Sequence, residues 1–247
     1  MRVLVVTAVA AEADSVAAGL RAFAGPGPGP GPGPGSLALP GGYTLTRFAR
    51  TLPPALESDT LVDVLAAGVG PAAAAAATAT ALTTAPYDLV VSAGIGGGFQ
   101  PNAPVGSVVV ADAIVAADLG AQTPDGYLTV DELGFGRSVH LPPADLAARV
   151  AKTAQALYAP VLTVSTVTGT AERAAELSGR HPRAAAEAME GFGVAEAAAA
   201  HGVHVLEIRA ISNTVGPRDR EAWRIGQALD SLRYAFQLLS PLFEESP

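Results

Sequence analysis

Residues 61–82 read LVDVLAAGVGPAAAAAATATAL. A run over 61–67, apolar but for Asp63, gives way to Gly68 and Gly70, and Pro71 then opens an Ala-rich stretch. Proline suits the first turn of a helix, where its missing N–H has no partner to lose. The segment therefore reads as a buried strand, a glycine turn and a helix over 71–82. From Val64 to Tyr87 the chain carries no charge over a length that could cross a bilayer, but the glycines and Pro71 break the stretch in the middle. The N-terminus, MRVLVVTAVAAEAD, has one basic residue and an apolar run like a signal peptide. Glu12 and Asp14 follow too soon for that, so residues 3–7 read as a first buried strand.

The same alternation extends outward. Strands are expected at 3–7, near 43–48, and at 61–67, 89–93, 107–115, 162–166 and 203–211. Helices are expected at about 11–23, 71–82, 143–157, 171–177, 191–201 and 221–239. Continuous Val/Ile/Leu runs, without polar alternation, imply strands covered on both faces. The expected fold is α/β, a three-layer αβα sandwich with a central mixed, mostly parallel sheet. One domain is expected over 1–247. Residues 25–35, GPGPGPGPGPG, interrupt it as a low-complexity loop between the first helix and the second strand, because Pro lacks a ladder donor and Gly disfavours regular structure.

Composition removes several function classes. The 247 residues are 49% hydrophobic and 15% charged, which opposes general disorder. Fifteen basic against 23 acidic residues give a net charge of −8, opposing a phosphate-tracking nucleic-acid binder. Cysteine is absent, which removes disulfides, thiolate metal sites and thiol nucleophiles and fits a reducing, cytoplasmic setting. His140, His181, His201 and His204 show no metal-site spacing; no metal and no cofactor are expected.

In an open α/β sheet, ligands bind at the carboxyl ends of strands. After strand 89–93 comes Ser92-Ala93-Gly94-Ile95-Gly96-Gly97-Gly98-Phe99, a run that either lets backbone N–H groups approach a ligand or simply turns. It fails the dinucleotide pattern: counted from Gly94 the last glycine position is Phe99, and QPNAP follows where a helix should open. Ala188-Met189-Glu190-Gly191 precedes a helix. Glu190 there either complements the helix dipole or accepts hydrogen bonds from vicinal hydroxyls. Residues 209–223, RAISNTVGPRDREAW, end a strand on polar side chains and carry the lone tryptophan, Trp223, as core or as ligand contact.

Taken together, 94–99, Met189-Glu190, Ser212-Asn213 and Glu12 after the first strand resemble the nucleoside phosphorylase/nucleosidase superfamily over nearly the whole chain, apart from the Pro-Gly insertion. TVTGT (166–170), AMEGFGVA (188–195) and 209–223 bring the resemblance nearest to the branch that hydrolyses futalosine, related to the methylthioadenosine/S-adenosylhomocysteine nucleosidases. The resemblance implies cleavage of an N-glycosidic bond, release of hypoxanthine, a place in menaquinone biosynthesis, and a homo-oligomer, a dimer or larger. The implied partner is a small nucleoside, not nucleic acid or a membrane.

It also implies roles. Glu12 activates water. Phosphorylases of the superfamily put glycine and arginine for phosphate in the corresponding loop, but residues 7–14, TAVAAEAD, hold no cation, so water is the expected nucleophile. Glu190 binds the ribose 2′ and 3′ hydroxyls and Met189 packs on the sugar. Asn213 stands where adenosine-type nucleosidases have Asp. An amide donates as well as accepts but cannot act as a general acid, so it suits a 6-oxopurine. Ile95, Gly96 and Gly97 line base and sugar, Ser212 and Thr168 are further substrate contacts, with Thr168 in the loop beside the base, and Trp223 faces the substrate. Arg218 or Arg220 either binds a carboxylate on the 5′ side of the substrate or pairs with Asp219, Glu221 or solvent. The competing expectations are a phosphorylase or methylthioadenosine-type nucleosidase of the same fold, and a nucleoside-binding protein without chemistry.

Overall fold

Strand β1 (Arg2–Thr7) leads into α1 (Ala10–Leu20) in the computed structural model, which describes residues 1–21, 35–50 and 60–244. Then come β2 (Gly35–Ala38), β3 (Thr44–Arg50), β4 (Thr60–Ala66), α2 (Pro71–Leu82), β5 (Leu89–Gly98) and β6 (Val108–Ala116). A hairpin of β7 (Gly120–Thr123) and β8 (Gly126–Thr129) precedes β9 (Val139–His140), α3 (Ala144–Thr153) and β10 (Leu157–Thr163). The chain continues through α4 (Ala171–Arg180), β11 (Ala186–Ala188), α5 (Gly191–Ala200), β12 (His204–Thr214) and α6 (Ile225–Leu239). The 61–82 segment is thus strand, turn and helix, and among the described residues no helix is long and apolar enough to cross a membrane.

The main sheet runs β11-β10-β6-β12-β5-β1-β4-β3-β2, with β9 on β6. Its centre, β4-β1-β5-β12, is parallel throughout, while β3, β6 and β11 lie antiparallel to β4, β12 and β5. Because β11 pairs with both β10 and β5, the strands β5, β12, β6, β10 and β11 close on themselves. The apolar runs of β1 are explained by two cores. Leu4 and Val6 pack in a cluster with α2 and α5, and Val3 and Val5 in a cluster with α1, α3 and α6. Each such side chain, fully buried, contributes about 1.5–3 kcal/mol.

Several boundaries differ from the sequence expectation. Gly94–Gly98 is not a turn: it stays in β5, laddered to β12 on one side and, at Gly97 and Gly98, to β11 on the other. Strand 203–211 likewise extends to Thr214, so Ser212 and Asn213 belong to the strand itself. The helix expected over 143–157 stops at Thr153, with Gln155 at φ 54, and Leu157 already begins β10. Pro160 lies in β10 where its register against β6 shifts between Ala159 and Val161. The last helix begins at Ile225, after a short 3-10 turn over Arg220–Ala222. The Pro-Gly run lies outside the described residues, except Gly35, the first residue of β2.

Candidate active site

The carboxyl ends of β1, β5, β11 and β12 and the turn after β4 surround a cavity of about 240 Å³. Glu12 enters it from the first turn of α1. The Ala-rich sequence lets a helix start at once, and Glu12 at its third position reaches back to the backbone, as in a capping box. Its Oε2 accepts from the N–H of Ala8 (2.9 Å) and Val9 (3.2 Å). Its Oε1 accepts from the N–H of Ile95 in β5 at 2.8 Å, a bond no helix cap requires. The carboxylate is therefore buried yet bordered by the cavity. Gly94 makes this possible: a Cβ there would lie 2.6 Å from Glu12 Oε1 and 2.7 Å from Arg209 Nη1.

Glu190 occupies the N-cap position of α5 but makes no side-chain cap bond. Its Oε1 accepts from the Gly70 N–H (3.2 Å) and its Oε2 from Arg209 Nη1 (3.3 Å). Gly70 presents that N–H from a φ of +95°, a conformation other residues adopt only under strain. Glu190 thus stands at the N-terminus of α5 and also lines the cavity, with its carboxylate bound away from its own helix.

Behind both carboxylates lies Arg209, at 0% exposure. Besides Glu190 it donates to Glu207 Oε1 (2.9 Å) and Ser92 Oγ (2.9 Å). Burial works against its charge, but Glu207, Glu190 and Glu12 together outweigh burial and raise its pKa. Glu207 is pushed up by burial, with Arg209 opposing and Glu190 adding to the rise. Its Oε2 has no hydrogen-bond partner among the described residues.

Across the cavity, Asn213 Oδ1 accepts from Ser212 Oγ (2.8 Å), and its Nδ2 donates to the Thr214 carbonyl (3.0 Å). One N–H of that amide remains for a ligand. Thr168 is buried with both of its donors on Glu187: N–H to Oε1 at 2.8 Å and Oγ to Oε2 at 2.5 Å. Ile95, Gly96, Gly97 and Met189 complete the wall, with Arg218 and Trp223 at its rim. The Arg218 guanidinium carbon sits 5.3 Å from the centre of the Trp223 ring. Arg220 is 6.0 Å from the same ring but does not line the cavity. Asp219 spends its carboxylate capping the 220–222 turn. Among the described residues no group of three or more His, Asp or Glu side chains could hold a metal ion.

Of the site residues named from the sequence, all border this one cavity except Arg220, which was offered as the alternative to Arg218. Missing from that set were Arg209, Glu207 and Glu187. Arg209 and Glu207 had a signal: two charges at alternate positions of a strand read as covered on both faces. Glu187 had none, because the three-residue strand β11 carries no β pattern of its own.

Residues 58–238 match the model of the Phosphorylase superfamily. The chain is 60% identical to the futalosine hydrolase of Streptomyces coelicolor, over 99% of this chain and 97% of that one. It is 44% identical to the futalosine hydrolase of Acidothermus cellulolyticus, over 96% and 89%. Among solved structures, the native futalosine hydrolase of Helicobacter pylori superposes with a TM-score of 0.77 at 15% identity, covering 98% of both chains, and is similar in fold.

Proposed function

Because the chain belongs to the Phosphorylase superfamily, we propose that it hydrolyses the N-glycosidic bond of futalosine, releasing hypoxanthine and dehypoxanthine futalosine. Two futalosine hydrolases similar over most of its length support this substrate. One observation carries the reaction type. Glu12 is an oriented carboxylate at the cavity wall, and no cation of its own loop stands beside it. A phosphate there would meet an anion, whereas a water would meet a proton acceptor. Arg209 does not change this, because it does not line the cavity and its guanidinium is engaged by Glu190, Glu207 and Ser92.

The proposed step uses these residues in turn. Glu12 takes a proton from water attacking C1′. Glu190 holds the 2′ and 3′ hydroxyls, and this charged contact strengthens as the ribosyl ring becomes cationic. Met189 packs against the sugar. Asn213, fixed through its oxygen by Ser212, offers its free N–H to the 6-oxo edge of hypoxanthine. Ile95, Gly96, Gly97 and Thr168 enclose base and sugar, and Trp223 covers them. The test is release of free base from futalosine, inosine and methylthioadenosine, each with and without phosphate. Phosphate-independent hypoxanthine from futalosine is the expected result; a phosphate requirement would make the protein a phosphorylase.

Asn213→Asp is expected to weaken hypoxanthine release and open adenine release from methylthioadenosine, since a carboxylate faces the 6-oxo group lone pair to lone pair. A site built on one hydrogen-bond pattern discriminates by up to about 10⁴-fold. The kcat/KM ratio of the two substrates in the variant checks it; an unchanged ratio removes Asn213 from base selection.

Arg218 is the one cation among the described lining residues, and guanidinium binds carboxylate in bidentate fashion. We assign it to the carboxylate on the 5′ side of futalosine. Arg218→Ala should raise KM for futalosine more than for inosine; equal increases would withdraw the assignment. The proposal includes a cytoplasmic homo-oligomer. The absence of cysteine supports the first, and the exposed apolar side chains Phe135 and Leu141, each 75% accessible, give a second copy something to cover.

A further inference from the structure

We propose that Glu187 and Thr168 form a proton relay that delivers the proton the departing purine needs; the inference rests on the hydrolase reading above. A purine leaves poorly as an anion, and Asn213 has no proton to give. Glu187 is the cavity-lining acid to which that reading gives no role. It is 5% exposed, and both of its oxygens are engaged by Thr168. The strand registers place it beside the base-recognising amide: Glu187 pairs with Gly97 from one side, and Asn213 pairs with the same Gly97 from the other.

The hydrogen-bond geometry has two states. With Glu187 ionised, the Thr168 hydroxyl donates to Oε2 and offers no proton to the cavity. With Glu187 neutral, its own O–H donates to Thr168 Oγ, and the Thr168 hydroxyl proton is free to turn toward the base. Burial pushes the Glu187 carboxyl above its ordinary range, with the two Thr168 bonds opposing. Of the charged groups facing it, Arg173 of α4 favours the anion and Asp118 disfavours it.

In the reacting state the C1′–N bond breaks with its electron pair passing to the base. A ring nitrogen takes the Thr168 Oγ proton as Oγ takes the Glu187 proton, leaving Glu187 as carboxylate. Water adds to C1′ and gives its proton to Glu12. Exchange with solvent then restores both carboxyls.

Glu187→Gln isolates the proton from the shape. The Gln carbonyl still accepts from the Thr168 N–H, and its NH₂ still donates to Oγ, but it has no acidic proton. Futalosine hydrolysis is measured across pH for the parent, Glu187→Gln, Thr168→Val and Thr168→Ser. Both Glu187→Gln and Thr168→Val are expected to lose about 10²–10⁴-fold in kcat, the usual worth of a general acid, with little change in KM. Thr168→Ser, which keeps the hydroxyl, recovers most of the loss. The parent loses kcat at high pH as Glu187 ionises, and that limb is absent in Glu187→Gln. Undiminished kcat in Glu187→Gln, or loss confined to KM, overturns the relay while the parent's hydrolysis stands. A parent that releases no hypoxanthine overturns the functional reading, and the relay with it. Should Glu187→Gln fail to fold, the Thr168→Val and Thr168→Ser pair decides alone.

Discussion

Glu12→Gln is expected to lower kcat for futalosine hydrolysis by about 10²–10⁴-fold, the range for a positioned general base. The substitution does two things. It removes the proton acceptor that the attacking water needs. It also places an amide NH₂ among three donors, since Ala8, Val9 and Ile95 all present N–H groups to this side chain. Whichever way the amide turns, one end meets a donor. An unsatisfied buried donor costs about 1–3 kcal/mol, so the variant should also melt earlier. Base release under saturating substrate, together with a thermal melt, checks both effects. Hydrolysis within about tenfold of the parent in a folded variant would sink the assignment of Glu12 as base.

The layers were legible in the sequence because each central strand serves two cores. Val3, Leu4, Val5 and Val6 alternate between them, so the run is apolar throughout, and a both-face reading follows directly. What stayed hidden depended on partners distant in sequence. Nothing local says that Gly94–Gly98 continues a strand; β12 and β11 decide it by pairing with those backbones. Likewise, the start of β10 at Leu157 is set by its pairing with β6, not by any local pattern. Glu12, Glu190 and Asn213 were named through the resemblance of the motifs that hold them to the superfamily. That Glu190 is held by Gly70 and Arg209 could not be read from the sequence. Arg209 and Glu207 read as two charges in a covered strand, but the weight of Arg209 appears only when Glu190 and Glu12, distant in sequence, are in place around it.

Arg209→Met should therefore be severe in a way that depends on pH. Methionine keeps much of the volume but removes the charge that faces Glu207, Glu190 and Glu12. Removing one partner of a buried ion pair costs about 3–5 kcal/mol, because the other charge is left uncompensated. Glu207 already lies above the ordinary carboxyl range with Arg209 present, and Arg209 is what holds it down; the substitution lets it rise further. A carboxyl raised in the folded state carries no penalty below its unfolded value, about 4.3. The penalty grows as pH rises from there toward the folded value, because the unfolded chain sheds its proton first. Denaturant unfolding of parent and variant at pH 4 and pH 7 should show a gap that is wide at pH 7 and narrower at pH 4. The same variant frees Glu190 from one of its two anchors, so ribose-dependent catalysis should fall even where the fold survives. A gap independent of pH would mean that the loss comes from packing and not from the stranded carboxylates.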